Sequence, residues 1–421
     1  MSKHGGNKGA VLVTSGNYAI VRSFGTNGIR TVVASEHDDT PVSSSRFCDE
    51  VVRIPAPSDG LVRYKDALVG ICARPDVDVI VPGRPEDAYV LSKYHDEFAT
   101  HVNLAVQPFE MLRSVHDRMR LYEAATAAGV PMARTRLLSD VDEFERPSII
   151  KPRYNVITEE YVDGFGPNDY DIVKRVIHVQ PGEDLNRAEI RREMGHDPIV
   201  QDYVPPADKY MFAALYDHGE ALATFQHRQI RGNSYTGGGG VYRESVYLPE
   251  FEAVGRGLLD HLEWHGLACI EYLQDADTGE FKIIEVNPRL WQSLPSTIRS
   301  GADFPYFYWL LATGQKHLVE PDYDLGIGSH YLWGELGYLK SVVTDESPLV
   351  ERPPLSKALW DVASSIWQEP HFDYLRFDDP APFVHFVVHV AFLRKPDERR
   401  AGDVGHLPAE RRPDRTVHAE P

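Results

Sequence analysis

Cysteine is scarce in this 421-residue chain and is not arranged for chemistry. The three cysteines, Cys48, Cys72 and Cys269, lie far apart and form no CxxC pair. Disulfide frameworks and thiolate metal sites need paired or closely spaced cysteines, so we expect buried or incidental thiols. No Ser-His-Asp or Cys-His arrangement stands out either, although the chain has 18 histidines. The sequence therefore does not indicate catalysis through a protein nucleophile.

Long hydrophobic runs are also missing. No charged-then-apolar leader opens the chain, and the longest apolar run near its end, FVHFVVHVAFL (383–393), is too short to span a bilayer. We expect a cytoplasmic protein without a membrane span. The run itself is predicted to form a terminal helix that packs on the core, with a membrane surface or a partner protein as the alternative.

Positive charge, and lysine above all, is under-represented. The chain has 63 acidic and 44 basic residues and a net charge of -19, and few of the basic residues are lysine. An acidic surface disfavours binding to nucleic acid. It suits a salt-rich, halophilic cytoplasm, where hydration and screening keep an acidic protein soluble. Any phosphate group must therefore be bound by local cations.

The first part of the chain alternates between strand and helix patterns. AVLVTSG (10–16) and VDVIVPG (77–83) are apolar runs that end in small-residue turns, and IRTVVASE lies between them. Strand–helix–strand units build parallel sheets, so we predict a Rossmann-like domain over 1–110, with VNLAVQ as a further short strand. The segment TSGNYAIVRSFGTNG lacks GxGxxG spacing, which disfavours a redox dinucleotide.

The pattern of predicted secondary structure changes after residue 110. A single amphipathic helix is predicted within 114–138, and RPSIIKPRYN (146–155) is predicted to form a strand that ends at Lys151. Lys151 would then lie at a sheet edge and face a cleft. A solvated lysine at a strand end is the simpler alternative.

A glycine run interrupts a series of predicted antiparallel strands at 197–248. TGGGG (236–240) is predicted to form a loop, because four glycines cost conformational entropy and contribute no side chains to packing. The loop is either a mobile hairpin tip or a place where backbone amides approach an anion. Nearby, Arg228 and Arg231 are candidates for binding an anionic substrate, and His227 is more simply a hydrogen-bonded strand residue.

The most informative stretch is IIEVNPRL (283–290). It ends the second strand of a predicted hairpin in which Glu271 and Glu285 lie opposite each other, together with Asn287 and Arg289 on the same face. Two facing carboxylates repel unless a cation lies between them. Two carboxylates and an amide oxygen suit Mg²⁺, and Arg289 supplies a planar cation for phosphate or carboxylate. A surface hairpin with scattered charges is the alternative.

At these residues the sequence resembles the ATP-grasp superfamily, and the resemblance covers most of the chain. Glu271, Glu285, Asn287 and Arg289 match its magnesium and phosphate signature in type and spacing. The resemblance implies a fold of mixed α/β and α+β class. Its parts would be a Rossmann-like pre-ATP-grasp domain (1–110), a two-lobed ATP-grasp domain with antiparallel sheets (111–315, small lobe 111–200, large lobe 201–315), a helical C-terminal extension (316–395) and a disordered tail (396–421).

The resemblance also implies a nucleotide site. Lys151 and Arg118 would reach the ATP phosphates, and Lys151 and Arg289 would act in catalysis. The glycine run matches a loop that contacts the reacting phosphate, here through Gly238 and Gly239. The expected hinge residues at the adenine are Gln201, Asp202, Tyr203 and Val204, and Asp208 would hold the ribose hydroxyls.

The implied activity is ligation of a small-molecule carboxylate to an amine with release of ADP. SRFCDEVVRIP (45–55) and VPGRPEDAYVLSKY (81–94) resemble a carboxylate-amine ligase branch. ATP and two Mg²⁺ ions are expected, with Mn²⁺ as an alternative, and a homodimer is compatible with this assignment. A carboxylase, a kinase or a non-catalytic nucleotide-binding module stays open. One departure is the segment 153–176, which has few glycines where the superfamily has a loop that closes over the phosphates.

Overall fold

The computed structural model describes residues 9–388, and its N-terminal part is built on a parallel sheet. The elements are β1 (Ala10–Val13), α1 (Tyr18–Thr26), β2 (Thr31–Ser35), β3 (Glu50–Arg53), α2 (Leu61–Cys72), β4 (Val77–Val81), α3 (Pro85–Lys93) and α4 (His95–Ala99). The strand order β3-β2-β1-β4 confirms the predicted parallel sheet. Val11 and Val13 face one hydrophobic core and Leu12 faces another, because the sheet is covered on both sides. We refer to this part as the N-terminal domain.

The strand predicted at VNLAVQ is wrong. In this segment Asn103 makes only an isolated bridge to Val79. The single helix predicted within 114–138 is also wrong, because the chain turns at Asp117. The Asp117 side chain accepts the N–H of Met119, which caps a new helix.

A small antiparallel sheet follows, which we call the small sheet. The elements of this region are α5 (Phe109–His116), α6 (Arg118–Ala127), β5 (Thr135–Leu137), β6 (Ser148–Lys151), β7 (Ile177–Val179), α7 (Arg187–Met194) and β8 (Ile199–Asp202). The strand order is β5-β8-β6-β7. Ile150 and Val200 face a hydrophobic core on one side of this sheet. Lys151 and Ile199, which pair directly, therefore face the other side.

A six-stranded antiparallel sheet, which we call the large sheet, forms the centre of the molecule. Its region contains β9 (Pro206–Asp217), β10 (Glu220–Ser234), β11 (Gly237–Val246), α8 (Pro249–His261), β12 (Gly266–Asp275), β13 (Phe281–Asn287), α9 (Leu294–Arg299), α10 (Phe304–Ala312) and β14 (Gly328–His330). The strand order is β13-β12-β9-β10-β11-β14. Met211, Ala213 and Leu215 pack in a core shared with the N-terminal domain, and Phe212 faces the opposite core.

The four glycines do not form a loop, which corrects the prediction. Residues 237–240 begin β11, where Gly240 pairs with Gly232. Gly238 has a φ of 85°, and a Cβ atom there would lie 2.0 Å from Asn233 Oδ1. Glycine is needed because a side chain would meet both a conformational penalty and a clash.

The region after the large sheet is not purely helical. It contains α11 (Leu332–Thr344), α12 (Leu355–Gln368) and α13 (Ala381–Val388), and it also supplies β14 to the sheet edge. In α13, Phe386 packs against Trp333 at 5.8 Å between ring centroids, whereas Val384 is 56% exposed, so the predicted core packing is only partial. Residues 389–393 of the apolar run and the predicted tail lie outside the described residues. Between residues 9 and 388, no helix combines the length and apolarity needed to cross a bilayer.

Candidate active site

Glu271 of β12 pairs directly with Glu285 of β13, as predicted. Cys269 pairs with Asn287 in the same register, so the carboxylates and the amide lie on one face. A β-bulge next to Glu271 then shifts the register toward the turn. Gln274 therefore faces Phe281, whereas a register without the bulge would pair it with residue 282.

The bulge leaves Ile284 as the extra residue of β13, between the pairs Glu271–Glu285 and Tyr272–Ile283. Its carbonyl is thereby free to accept a hydrogen bond from Lys151 Nζ, at 3.3 Å. The bulge thus connects the small sheet to the acidic hairpin.

Lys151 lies at the end of β6 and is only 9% exposed. Burial and the nearby Arg118 guanidinium lower its pKa to about 7, against the opposing effect of Glu285 and Glu271. A lysine in this state acquires full positive charge when an anion approaches. This is a suitable property for a phosphate ligand.

Arg118 stands at the start of α6 and joins the two sheets. Its Nη2 donates to Glu285 Oε2 at 3.1 Å, and its Nη1 donates to the Pro152 carbonyl at 2.8 Å. Burial by itself would raise the pKa of Glu285, but the charge of Arg118 and a 2.8 Å hydrogen bond from Asn287 lower it. Glu285 is therefore held as the ionised member of the pair.

Glu271 is in the opposite state. Burial and the facing charge of Glu285 raise its pKa to about 7, although Lys209 and Arg289 oppose that shift. A divalent cation between the two carboxylates would relieve this repulsion. Glu271, Glu285 and the amide oxygen of Asn287, which here accepts from Arg289 Nη2 at 3.4 Å, can supply oxygen ligands alone, so the residues present fit Mg²⁺.

The N-terminal domain meets this site at the end of β13. Leu290 donates its backbone N–H to the Pro82 carbonyl at 3.2 Å, and Arg289 Nη1 donates to the Leu290 carbonyl at 2.9 Å. Close by, Glu86 is 6% exposed and its Oε2 has no hydrogen-bond partner. Burial raises the pKa of Glu86, against the nearby guanidinium of Arg84. The carboxyl end of the parallel sheet, where α/β folds bind ligands, therefore faces Arg289.

Lys209 joins Glu271, Glu285 and Lys151 in one cluster of charged residues, and the sequence did not predict it. It lies on the same face of β9 as Met211, which pairs with Glu271. A Cβ atom on Gly237 would lie 3.4 Å from Lys209 Nζ, so the ammonium lies against the glycine strand. Burial lowers the pKa of Lys209, and the charge of Glu271 opposes that shift. The sequence shows locally that Lys209 and Met211 share a face of their strand. It does not show that this strand pairs with β12, because the two strands are far apart in the chain.

The glycine strand also reaches the end of β13. A Cβ atom on Gly239 would lie 3.3 Å from Gln292 Oε1, just beyond Arg289. Gly238 accepts a hydrogen bond from Gln229 at its carbonyl, at 3.1 Å. The structure therefore brings the predicted glycines next to the cluster.

The predicted adenine and ribose residues are only partly brought to this cleft. Gln201 shares the face of Lys151, but its amide donates to Thr135 Oγ1 at 2.9 Å. Asp202 faces the other way and pairs with Arg136 at 3.3 Å. Tyr203 donates its N–H to the Pro147 carbonyl, and Val204 follows it. Asp208 lies one residue from Lys209 and so on the opposite face of β9 from the carboxylates.

The candidate anion ligands on β10 are engaged elsewhere. Arg228 pairs with Glu244 at 3.3 Å, and buried Arg231 makes two 2.8 Å contacts with Glu335. His227 is buried and its Nδ1 has no hydrogen-bond partner, so the expectation of a satisfied histidine is wrong for that atom. Burial and then the charge of Arg243 lower the pKa of His227 to about 3.

The glycine-poor segment 153–176 contacts the N-terminal domain. Lys93 of α3 pairs with Glu159 at 2.5 Å and also with Glu160. Asn168 accepts the N–H of Leu61 at 3.2 Å. Ion pairs and a backbone hydrogen bond therefore hold the segment against the N-terminal domain.

Comparison with solved structures identifies the fold. An ADP complex of N5-carboxyaminoimidazole ribonucleotide synthetase is 17% identical, with a TM-score of 0.57 over 86% of this chain and 97% of that one. The L-amino acid ligase of Bacillus licheniformis is 14% identical, with a TM-score of 0.53 over 75% of this chain and 78% of that one. The biotin carboxylase domain of Hydrogenobacter thermophilus 2-oxoglutarate carboxylase, in complex with MgADP and bicarbonate, is 18% identical, with a TM-score of 0.58 over 76% and 73%.

These structures are of ATP-grasp enzymes with an N-terminal domain, and the chain has their fold, as its sequence predicted. Against the longer pyruvate carboxylase of Rhizobium etli it spans 30% of that chain. No family model matches the sequence, and no curated protein matches it either.

Proposed function

We propose that the protein is an ATP-dependent ligase that joins a carboxylate to an amine through an acyl phosphate and releases ADP and phosphate. The observation that carries the proposal is the pairing of Glu271 with Glu285, surrounded by Lys151, Arg118 and Arg289. Two opposed buried carboxylates repel each other unless a cation lies between them, and the cations around them suit a polyanion.

In this proposal the cations of the site hold the ATP phosphates. Lys151 and Arg118 approach from the small sheet and Lys209 from the large sheet, so the phosphates lie between them. The phosphate charge raises the pKa of Lys151 above the value of about 7 that burial gives it. Glu271, Glu285 and Asn287 would hold Mg²⁺, which neutralises charge on phosphate oxygens when it is bound.

The first step forms the acyl phosphate. A carboxylate oxygen of the substrate attacks the γ-phosphorus, and the bond to the ADP oxygen breaks. The protein supplies position and charge only, since phosphoryl transfer needs no protein nucleophile. Arg289 lies where it can orient the attacking carboxylate through its planar guanidinium.

The second step forms the amide. The amine attacks the acyl carbon, phosphate leaves, and the amine loses a proton. We assign the amine site to the space between Arg289 and the carboxyl end of the parallel sheet, with Glu86 as its anchor. The Oε2 of Glu86 has no hydrogen-bond partner and is a suitable acceptor for an N–H of the amine.

Release of ADP with a panel of carboxylates and amines tests the proposal, in high salt with Mg²⁺. We expect a carboxylate and amine pair to stimulate ADP release, and we expect Glu285→Gln to abolish the stimulation. Glu280→Gln is the matched control, since Glu280 lies on the same hairpin with 53% of its side chain exposed. The proposal fails if no pair stimulates ADP release or if Glu285→Gln equals the wild type.

Bicarbonate belongs in the same panel. Two of the compared structures are of a carboxylase or of a synthetase of a carboxyamino product. If bicarbonate alone among the carboxylates stimulates ADP release, the protein is an ATP-grasp carboxylase with the same metal site.

A further inference from the structure

A group of candidate metal ligands lies at the opposite end of β9 from the acidic hairpin. Among the described residues, Asp217, His218 and His265 form a group whose ligand atoms all lie within 4.8 Å of one another. Asp217 is eight residues from Lys209, which corresponds to roughly 26 Å along a strand. The group therefore does not belong to the proposed ATP site.

The sheet register builds this group. Tyr216 pairs with Gly266 across β9 and β12, which makes Asp217 and His265 neighbours. His218 has a φ of 49°, which is uncommon for a residue other than glycine. This left-handed turn places the His218 ring 4.0 Å from the His265 ring, centroid to centroid.

The donor atoms of the group lie close together. Asp217 Oδ1 lies 2.8 Å from His218 Nδ1 and 3.5 Å from His265 Nδ1. Donors that bind a tetrahedral ion at about 2.0–2.1 Å lie about 3.3 Å apart. His265 Nδ1 is buried and makes no hydrogen bond, and the Asp217 carboxylate at 3.5 Å is its charged neighbour.

The group also borders a pocket. A pocket of about 280 Å³ lies beside the group and is lined by Asp217, His265, Lys316 and Leu104, among others. The Lys316 ammonium contacts the second oxygen of Asp217, Oδ2, at 2.6 Å. Oδ1 of Asp217 therefore remains directed toward the two imidazoles. The Lys316 ammonium would compete with a bound metal ion for the negative charge of Asp217.

We propose that Asp217, His218 and His265 bind a divalent transition metal, with Zn²⁺ as the probe of choice, and leave one position open toward the pocket. Two imidazoles and one carboxylate suit Zn²⁺, whereas Mg²⁺ prefers oxygen ligands alone. The metal would tie the turn between β9 and β10 to the start of β12.

Zn²⁺ titration of the untagged full-length protein, with Mg²⁺ in large excess to occupy the acidic hairpin, tests the proposal. We expect one Zn²⁺ per chain, and Co²⁺ at the same site should give visible ligand-field bands. His265→Ala should weaken binding by more than about 100-fold, since even loss of an outer-shell partner costs about 10–100-fold. His261→Ala, an exposed histidine on α8, is the matched control and should bind as the wild type does.

Lys316→Met keeps the test valid if His265→Ala does not fold. Lys316 has 43% of its side chain exposed, so its replacement should leave the fold intact. Removal of the competing ammonium should tighten Zn²⁺ binding severalfold. The proposal is overturned if neither the wild type nor Lys316→Met binds Zn²⁺, or if His218→Ala and His265→Ala bind it as tightly as the wild type.

Discussion

Replacing Glu271 by glutamine should stabilise the metal-free protein while it abolishes the proposed activity. Burial and the facing Glu285 raise the pKa of Glu271 from an ordinary 4.5 to about 7. A carboxyl whose pKa is raised on folding is ionised at a cost in the folded state, so the wild type loses stability as the pH rises from 4.5 to about 7. Glutamine has no such cost.

The expected gain in the free energy of unfolding follows from the change in the pKa of Glu271 on folding. A difference of about 2.5 pKa units at about 1.4 kcal/mol each gives about 3 kcal/mol at pH 8, where the penalty is complete. At pH 5 the folded Glu271 is almost entirely protonated, and the gain of Glu271→Gln falls to about 1 kcal/mol. Urea unfolding in the presence of EDTA at both pH values measures the free energy of unfolding directly.

Two comparisons make this experiment decisive. Glu280→Gln on the same hairpin should change the free energy of unfolding little at either pH, because that side chain is exposed. Mg²⁺ with ATP should stabilise the wild type and not Glu271→Gln. The reasoning is refuted if Glu271→Gln is no more stable than the wild type at pH 8, or if its gain is the same at pH 5.

Three further predictions concern residues that the fold brings together. Lys209→Met should lower kcat/KM for ADP release by about 100-fold with an unchanged melting temperature, because it removes one phosphate cation. Gly238→Ala should lower both stability and activity, and Gly239→Ala should do so less, because only Gly238 has a positive φ and a clash at 2.0 Å. Arg243→Leu should destabilise by about 3–5 kcal/mol, since it leaves the buried Asp373 carboxylate without its ion-pair partner, and Arg243→Leu with Asp373→Leu should recover most of that loss.

Each of these has an outcome that contradicts it. Full activity of Lys209→Met would remove that lysine from the site. Equal effects of the two alanine variants would show that conformation at Gly238 does not matter. A double variant as unstable as Arg243→Leu alone would show that the loss comes from packing and not from the unpaired charge.

The acidic hairpin could be predicted because its information is local. The turn between two adjacent strands sets which residues face each other, so Glu271 and Glu285 could be paired from their spacing. The bulge beside them could not, because it depends on how the small sheet approaches Ile284. The prediction of a glycine loop was wrong for a similar reason. Gly238 belongs to a strand that pairs irregularly with its neighbour, and glycine content alone does not indicate such a pairing.

Long-range pairing explains most of what the sequence did not show. Lys209 reaches the site through the pairing of β9 with β12, strands joined by a chain that includes two other strands and a helix. Arg231 and Arg243 became buried ion pairs because α11 and the segment around Asp373 fold back onto the sheet. The predicted domain boundaries at 110 and 315 and the roles of the hinge residues stay predictions.

In the proposed reaction, a substrate carboxylate attacks the γ-phosphate of ATP in the site around Glu271 and Glu285. A carboxylate labelled with ¹⁸O on both oxygens, with its amine partner and MgATP, tests it directly by mass spectrometry of the released phosphate. We predict one ¹⁸O atom in each phosphate, because one carboxylate oxygen leaves with phosphorus when the amide forms. Release of unlabelled phosphate would contradict the account.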